Sequence, residues 1–421
     1  VLSNYGHIFE QWFDGATDGT SRQVYDWDLF HKTVYNKQPH AIIFSDVGPG
    51  CRWIGNERGY AGETNWSTLN VEGFTPGKGA PATDILNKGD INGEKWVAGE
   101  VDVSIRPGWF YSPATDDKVK SVEHLMDIYY SSVGSNANLL LNVPPDRRGL
   151  IHPNDSARLM EFKAAREKAF NTNLADGATA TASNVRGNAK KYSTENLFDN
   201  DNSTYWTTDD GISTATITIE LKEATSFNNI LLQEYIALGQ RIEEFKINYW
   251  DAELNQWVDL DKGTTVGYKR ILRTPRVSSS KIQIEISKSL AEQILSNIEI
   301  YDAPDIPSFD VSKFSKQSLD KKDAIVLNLK EARGIKGFVF TPFPSERETT
   351  IQRYNCYVSE DGKQWEKVQE NAIFNNIKNN PIPQQVIFDK VYNSSYIKLE
   401  PTLLTNDNSD KYTYAELKAI E

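Results

Sequence analysis

Up to about residue 172 the hydrophobic pattern alternates between two periods. Short apolar runs of strand length occur at "GHIFEQWF" (6–13), "AIIFSD" (41–46), "GEVDVSI" (99–105) and "ANLLLNV" (137–143). Between and after them lie "VYDWDLFHKTVYNKQ" (24–38), "DDKVKSVEHLMDIYYSSV" (116–133) and "DSARLMEFKAAREKAF" (155–170), amphipathic stretches of helix length. This alternation predicts parallel strands with covering helices. An eight-stranded α/β barrel takes roughly 250 residues, and only about four clear strands fit before 172. The expected element is therefore an incomplete (β/α)8 barrel.

After "NTNLADGATATAS" (171–183) the texture changes to β-rich segments punctuated by Asn, Asp, Ser and Gly. This predicts antiparallel β-sandwiches of the jelly-roll kind. Two copies are visible. "FKINYWDAELNQWVDL" (245–260) and "YNCYVSEDGKQWEKV" (354–368) share a strand, an acidic turn, and Gln-Trp leading a second strand. "SSKIQIEIS" pairs with "SSYIKLEP", and "SNIEIYD" with "YAELKAI". With a seam at "DAPDIPSFD", the expected organisation is a barrel part at 1–172 and sandwiches at 176–303 and 304–421.

Composition narrows the function classes. The 58 acidic residues outnumber the 46 basic ones, and no basic cluster interleaved with aromatics appears, which argues against nucleic acid and anionic membrane surfaces. No apolar run approaches the roughly 20 residues of a membrane span. Cys51 and Cys356 match no metal spacing and imply no disulfide framework. Ten Trp in an 11% aromatic chain leave room for faces on which sugar rings stack, although most Trp belong to cores.

Two carboxylates stand where strands give way to loops. Asp14 follows "IFEQWF", with Gly15 letting the chain leave the strand tightly. Strand C-termini are where α/β barrels collect reacting groups, yet an Asp-Gly turn bonding its own backbone reads equally well. Glu57 in "CRWIGNERG" follows the next strand. Paired carboxyls suit glycosidic cleavage: one ionised group attacks the anomeric carbon while one protonated group donates to the leaving oxygen. Aromatics such as Trp53 would help the second keep its proton. Taken singly, Glu57 also reads as a solvated loop residue.

The ordered segments "YGHIFEQWFDGA", "RWIGNE", "GEVDVSIRPGWFY" and "NANLLLNVPPDRRGLI" resemble the C-terminal half of a glycoside hydrolase family 29 α-L-fucosidase, more narrowly its α-1,3/1,4-specific branch. The resemblance covers residues 1 to about 170. It implies that Asp14 is the nucleophile and Glu57 the general acid/base of a retaining double displacement. It also implies that Arg52 contacts the sugar and that Trp109 walls the fucose methyl group. Trp53 joins the substrate-binding set by adjacency. Catalysis then needs no cofactor. The family also uses histidines and an aromatic from the first three barrel strands, and His7, His31, His40, His124 and His152 do not replace them by motif. The expectation is a fragment that is inactive alone.

Residues 176–303 resemble a discoidin-like module of the factor V/VIII C type, which includes carbohydrate-binding module family 32, on "ENLFDNDNSTYWTT" and "SNIEIYD". By that resemblance Asp199, Asp201 and Thr204 match a loop that holds a structural Ca²⁺ through hard oxygens. Asn297 stands where a closing Glu is usual, and the loop reads equally as an Asx-rich turn without metal. Residues 304–421 look like a diverged second copy, with Glu416 at the closing position and no matching loop upstream. The function implied is an exo-α-L-fucosidase releasing terminal α-1,3/1,4-linked fucose from oligosaccharides or glycoconjugates, at a periplasmic or extracellular site. The alternative is a non-catalytic, adhesin-like glycan-binding protein with a degenerate barrel.

Overall fold

The apolar runs of the first segment do pair in parallel, in a computed structural model that describes residues 1–15, 24–306, 315–343, 349–374 and 376–421. In chain order come β1 (Glu10–Trp12), α1 (Trp27–Lys37), β2 (Ile42–Ser45) and β3 (Cys51–Trp53). A small hairpin, β4 (Thr68–Leu69) and β5 (Lys95–Trp96), encloses α2 (Thr83–Lys88). Then follow β6 (Ala98–Ser104), α3 (Val122–Ser132), β7 (Ala137–Asn142) and α4 (Pro153–Ala169). The sheet order is β1-β2-β3-β6-β7, each neighbour parallel. This is the incomplete (β/α)8 arrangement expected. Periodicity did not reveal β3, which is three residues long with an Arg at its centre.

The longest strand of this sheet, β6, shows how the layers are divided. Val103 and Ile105 join Leu125, Met126 and Ile128 of α3 and Phe162 of α4 in one cluster. The alternate residues Glu100, Asp102 and Ser104 occupy the opposite face, because successive side chains of a strand point to opposite sides. They are nonetheless only 2%, 3% and 2% exposed. Just past β6, Arg106 Nε donates to both carboxylate oxygens of Asp155 in the first turn of α4, at 2.9 and 2.8 Å, with both side chains fully buried. Its Nη1 reaches Asp116 at 2.8 Å. The loop that continues to Trp109 is thereby tied to α4.

The first sandwich contains β8 (Thr179–Ala182), β9 (Trp206–Thr207), β10 (Ala215–Glu234), β11 (Ile242–Asp251), β12 (Gln256–Gly263), β13 (Arg270–Ser289) and β14 (Ile294–Tyr301). They pair antiparallel in the order β12-β11-β13-β10-β14-β9, with β8 also on β10. Trp206, Phe227, Ile230 and Ile284 are fully buried in its core. Leu231 of β10, Ile271 of β13 and Ala303 pack instead with Leu125, Tyr130 and Phe162 of the parallel part. The texture change at 172–176 therefore lies within one unit, Val1–Ser308, that shares a core across it.

The second unit, Phe309–Glu421, contains β15 (Gln317–Asp320), β16 (Ile325–Thr341), β17 (Ile351–Ser359), β18 (Glu366–Ile373), β19 (Gln384–Leu404), β20 (Lys411–Tyr414) and β21 (Glu416–Ile420). Its main sheet runs β18-β17-β19-β16-β21, and β15 pairs with β20. Phe374 stacks between Tyr354 and Phe340, at 4.2 and 4.7 Å between ring centroids. The repeated motif of the two sandwiches is a hairpin with the same acidic clamp. Asp251 Oδ1 accepts from the N–H groups of Glu253 and Leu254, and Asp361 Oδ1 from those of Lys363 and Gln364. Among the described residues no helix is long and apolar enough to cross a membrane.

Asp155→Ala should destabilise the first unit by about 3 kcal/mol, because Arg106 would stay buried with its Nε unanswered and only the partly exposed Asp116 as counter-charge. Urea unfolding measures this, and a loss under about 1 kcal/mol would show that Arg106 is solvated or re-paired.

Candidate active site

Parallel pairing brings the C-terminal ends of β1, β2 and β3 to one edge of the sheet. Phe13 N donates to Phe44 O at 3.0 Å, so β1 and β2 stay paired up to the residue before Asp14. Asp14 is exposed at that edge. Gly15 then runs past Gly77 so closely that a Cβ on it would lie 3.0 Å from Gly77 N and 3.3 Å from Asp46 Oδ2. Asp46, at the end of β2, accepts from Gly77 N at 3.1 Å, and its burial raises its pKa. Glu57 follows β3 in the same direction. The edge thus carries Asp14, Asp46 and Glu57, of which the sequence reading singled out the first and last.

Three indoles address three carboxyls in this region. Trp109 Nε1 donates to Glu57 Oε2 at 2.6 Å, joining the loop after β6 to the loop after β3. Trp12 Nε1 donates to Glu100 Oε1 at 3.1 Å, and the Trp53 side chain neighbours Asp102. An indole N–H is a neutral donor. It fixes a carboxyl in place without the strong preference for the ionised form that a guanidinium imposes. Burial first, then the charge of Glu57, holds Asp102 well above the usual carboxylate range. Glu100 is pushed up to about 8 by burial and then by Glu10. Glu10, Glu100 and the Cys51 thiol bring their ligating atoms within 4.8 Å of one another. The thiol is itself raised by burial, which makes it a poor metal ligand, since binding needs the thiolate.

Arg52 does not take the position expected of it. Its side chain is fully buried. Nε donates to Leu86 O at 2.9 Å, Nη1 to Val97 O, and Nη2 to Asn65 Oδ1 and Trp66 O at 3.0 and 3.1 Å. A guanidinium with this many acceptors, and lowered to about 10 by burial, is a structural brace. It has no open face for a sugar. Trp53 and Trp109 are half-buried.

A family model described as Alpha-L-fucosidase matches residues 1–164, and one described as F5/8 type C domain matches residues 179–300 and 308–417. Alpha-L-fucosidase 1 of Arabidopsis thaliana is 36% identical over 335 residues, covering 79% of this chain and 64% of that protein. The chain thus spans under two thirds of this curated relative. A glycoside hydrolase 29 family member from an unknown rumen bacterium is 30% identical, with a TM-score of 0.61 over 100% of this chain and 73% of its own. A Ruminococcus gnavus GH29 fucosidase, solved in complex with fucose, is 34% identical with a TM-score of 0.65, over 71% of this chain and 62% of its own.

The chain belongs to glycoside hydrolase family 29, the α-L-fucosidases.

In this member of the fucosidase family the first F5/8 type C domain grips the segment just after Glu57. Thr265 Oγ1 accepts from Asn65 N at 2.9 Å, Gln240 Oε1 accepts from Ser67 N at 2.8 Å, and Gln240 Nε2 donates to Asn65 O at 2.9 Å. Arg270 Nη1 donates to Glu63 O at 2.7 Å. Asn65 Nδ2 in turn donates to the carbonyls of Ser135 and Asn136. Behind these loops lies Glu234, fully buried, which accepts from the N–H groups of Arg241 (2.7 Å), Ile242 (2.9 Å) and Gly267 (2.6 Å). Neither Gln240 nor Glu234 was visible as a site residue in the sequence, because each matters only through contacts distant along the chain.

The candidate calcium loop of this domain is closed on itself. Asp199 Oδ1 accepts from Asp201 N at 2.9 Å, Asp201 Oδ1 from Ser203 N at 2.9 Å, and Thr204 Oγ1 donates to Asp199 Oδ2 at 2.7 Å. Asn297 spends its amide on Gln233 and Glu299. The Asx-turn description that the sequence left open accounts for these bonds.

Glu234→Gln should cost the first unit about 2 kcal/mol, because its amide N–H₂ would face one of three backbone N–H groups. Burial raises Glu234 from 4.5 to about 7 against the pull of those donors. Between these values the folded protein keeps a proton that the unfolded chain has lost. Stability therefore falls as pH rises from about 4.5 to about 7. Thermal melts across this range should show that slope in the wild type and a weaker one in the variant.

Proposed function

We propose that the protein is a retaining exo-α-L-fucosidase. Asp14 attacks the anomeric carbon as Glu57 gives its proton to the leaving glycosidic oxygen. Glu57 then takes a proton from water, whose oxygen displaces Asp14, and fucose leaves with retained configuration. The single observation that carries this reading is the 2.6 Å bond from Trp109 Nε1 to Glu57 Oε2. It orients a carboxyl through a neutral donor at the sheet edge that also bears Asp14. A group held this way can be protonated, donate, and be reloaded.

The substrate we infer is a terminal α-1,3/1,4-linked fucose on an oligosaccharide or glycoconjugate, met in the periplasm or outside the cell. Family membership supports the sugar, and the linkage rests on the motif resemblance. The two F5/8 type C domains favour a second reading, in which the protein binds glycans without cleaving them. A glycan array read beside a hydrolysis assay separates the two, since binding without turnover by the intact protein would replace the enzymatic reading.

In the intact enzyme, Asp14→Ala should reduce release of fucose from an activated aryl fucoside to near background. Glu57→Ala should lower turnover of a sugar-linked substrate by roughly 10²–10⁴-fold, with less effect on the activated one. Azide should rescue Glu57→Ala and give a fucosyl azide of retained configuration. An inverted azide, or full activity in Asp14→Ala, would contradict the assigned roles.

A further inference from the structure

We propose that Asn56 is a positioning residue for the glycosidic acid, holding the backbone of Glu57 in an Asx turn so that its carboxyl meets the leaving oxygen. This rests on the reading of Glu57 as acid/base. Asn56 is 2% exposed, and its side chain turns back into its own loop. Its Oδ1 accepts from Arg58 N at 3.0 Å, and its Nδ2 donates to Tyr60 O at 2.8 Å. Glu57 is the residue spanned by the first of these bonds. An Asn side chain that bonds the N–H two residues on closes a turn as a backbone carbonyl would. The dihedral freedom of Glu57 is thereby restrained by its neighbour.

The loop around this turn is closed at its neck and packed on both flanks. It leaves β3 at Ile54, whose N–H donates to Glu100 O at 3.0 Å. Asn87, in α2, donates through Nδ2 to Ile54 O at 3.2 Å and to Tyr60 O at 3.1 Å, and so ties the two ends together. Ala61 N donates to Ser131 O at 2.8 Å, and Gly62 N to Asn87 O at 3.1 Å. Gly55 and Gly59 have φ of +82° and +98°. A Cβ on them would lie 2.7 Å from Thr83 O in α2 and 2.6 Å from Ile128 Cγ1 in α3. Both positions therefore need glycine for conformation and for room.

Within so tight a loop, the direction of Glu57 is fixed from two ends. The Asn56 turn sets where the Glu57 Cα–Cβ bond points, and Trp109 Nε1 meets Oε2 at 2.6 Å. The indole is carried by a different loop, the one after β6, so it orients the carboxyl only where the backbone delivers it. A reacting group misplaced by about 1 Å can lose on the order of 10²-fold in rate. As Asp14 bonds to the anomeric carbon and the glycosidic C–O bond breaks, the proton passes from Glu57 to the departing oxygen. Of these events only the proton transfer depends on the turn at Asn56.

The test compares kcat/KM of Asn56→Ala in the intact enzyme on two substrates, since this constant reports the steps through cleavage of the glycosidic bond. On a sugar-linked fucoside, whose leaving oxygen needs the proton, it should fall by about tenfold or more. On an aryl fucoside with a good leaving group it should fall by less than about threefold. Azide, which needs no base, should raise kcat of the variant on the aryl fucoside. A role confined to holding the loop would lower both substrates alike and leave azide without effect. Asn56→Ser should recover part of the loss, because a hydroxyl closes the same kind of turn more weakly. If the Ala variant does not fold, the Ser variant set against wild type should show the same selective loss on the sugar-linked substrate. Equal losses on both substrates, or no loss on either, in a folded variant overturn the proposal. Glu57→Gln separates the two failures. If it abolishes turnover of the sugar-linked substrate while the Asn56 variants lose no selectivity between substrates, only the positioning role is wrong. If it leaves turnover intact, the acid/base reading itself is wrong.

Discussion

A buried guanidinium must have its N–H groups answered by oxygen, and Arg52 meets that demand with acceptors from four separate residues. Leu86 lies in α2, Val97 precedes β6, and Asn65 and Trp66 lie in the segment after Glu57. Satisfying one side chain therefore fixes where α2, β6 and this segment stand around β3. Asn65 passes the constraint on, because its remaining polar atoms are held by Thr265, Gln240, Ser135 and Asn136. The loop carrying Glu57 is framed at one end by β3 and at the other by this knot. The buried charge offers little net stability by itself, but the positions it dictates are what the candidate site is built on.

Inside that frame the region around the site relies on a different kind of partner. Lys and Arg would hold carboxylates firmly and keep them ionised. Trp12 and Trp109 hold Glu100 and Glu57 with one neutral hydrogen bond each, and Trp53 neighbours Asp102. Their rings also exclude water, which raises the cost of ionisation further. The polar inner face of β6 is tolerated because its outer face buries Val103 and Ile105 against α3 and α4.

Some of this was legible in the sequence. Strand and helix periods located four of the five parallel strands and three of the helices. The Gln-Trp repeat exposed the duplicated sandwich, because its hairpin clamp is local. The acidic pair at Glu100 and Asp102 also had a visible sign, an every-second-residue run of Glu, Asp and Ser inside an apolar strand, although it was read only as a strand. The destination of Arg52 had no such sign. Whether an arginine beside a site faces substrate or a cluster of carbonyls depends on residues 13 to 45 positions away. The shared core of the parallel part and the first sandwich was hidden for the same reason. The chain changes texture at 172, while Leu231 and Ile271, which complete the packing, lie far downstream.

The grip of Thr265, Gln240 and Arg270 on residues 63–67 bears on how such proteins can be recombined. A domain tethered by a linker can be exchanged for another without disturbing its neighbour. This one supplies part of the mould in which the neighbouring loop is cast. Chimaeras joined at the texture change would inherit a loop shaped for a surface no longer present. The two stretches should therefore drift together across related proteins, a substitution in one being tolerated chiefly where the other has adjusted to it.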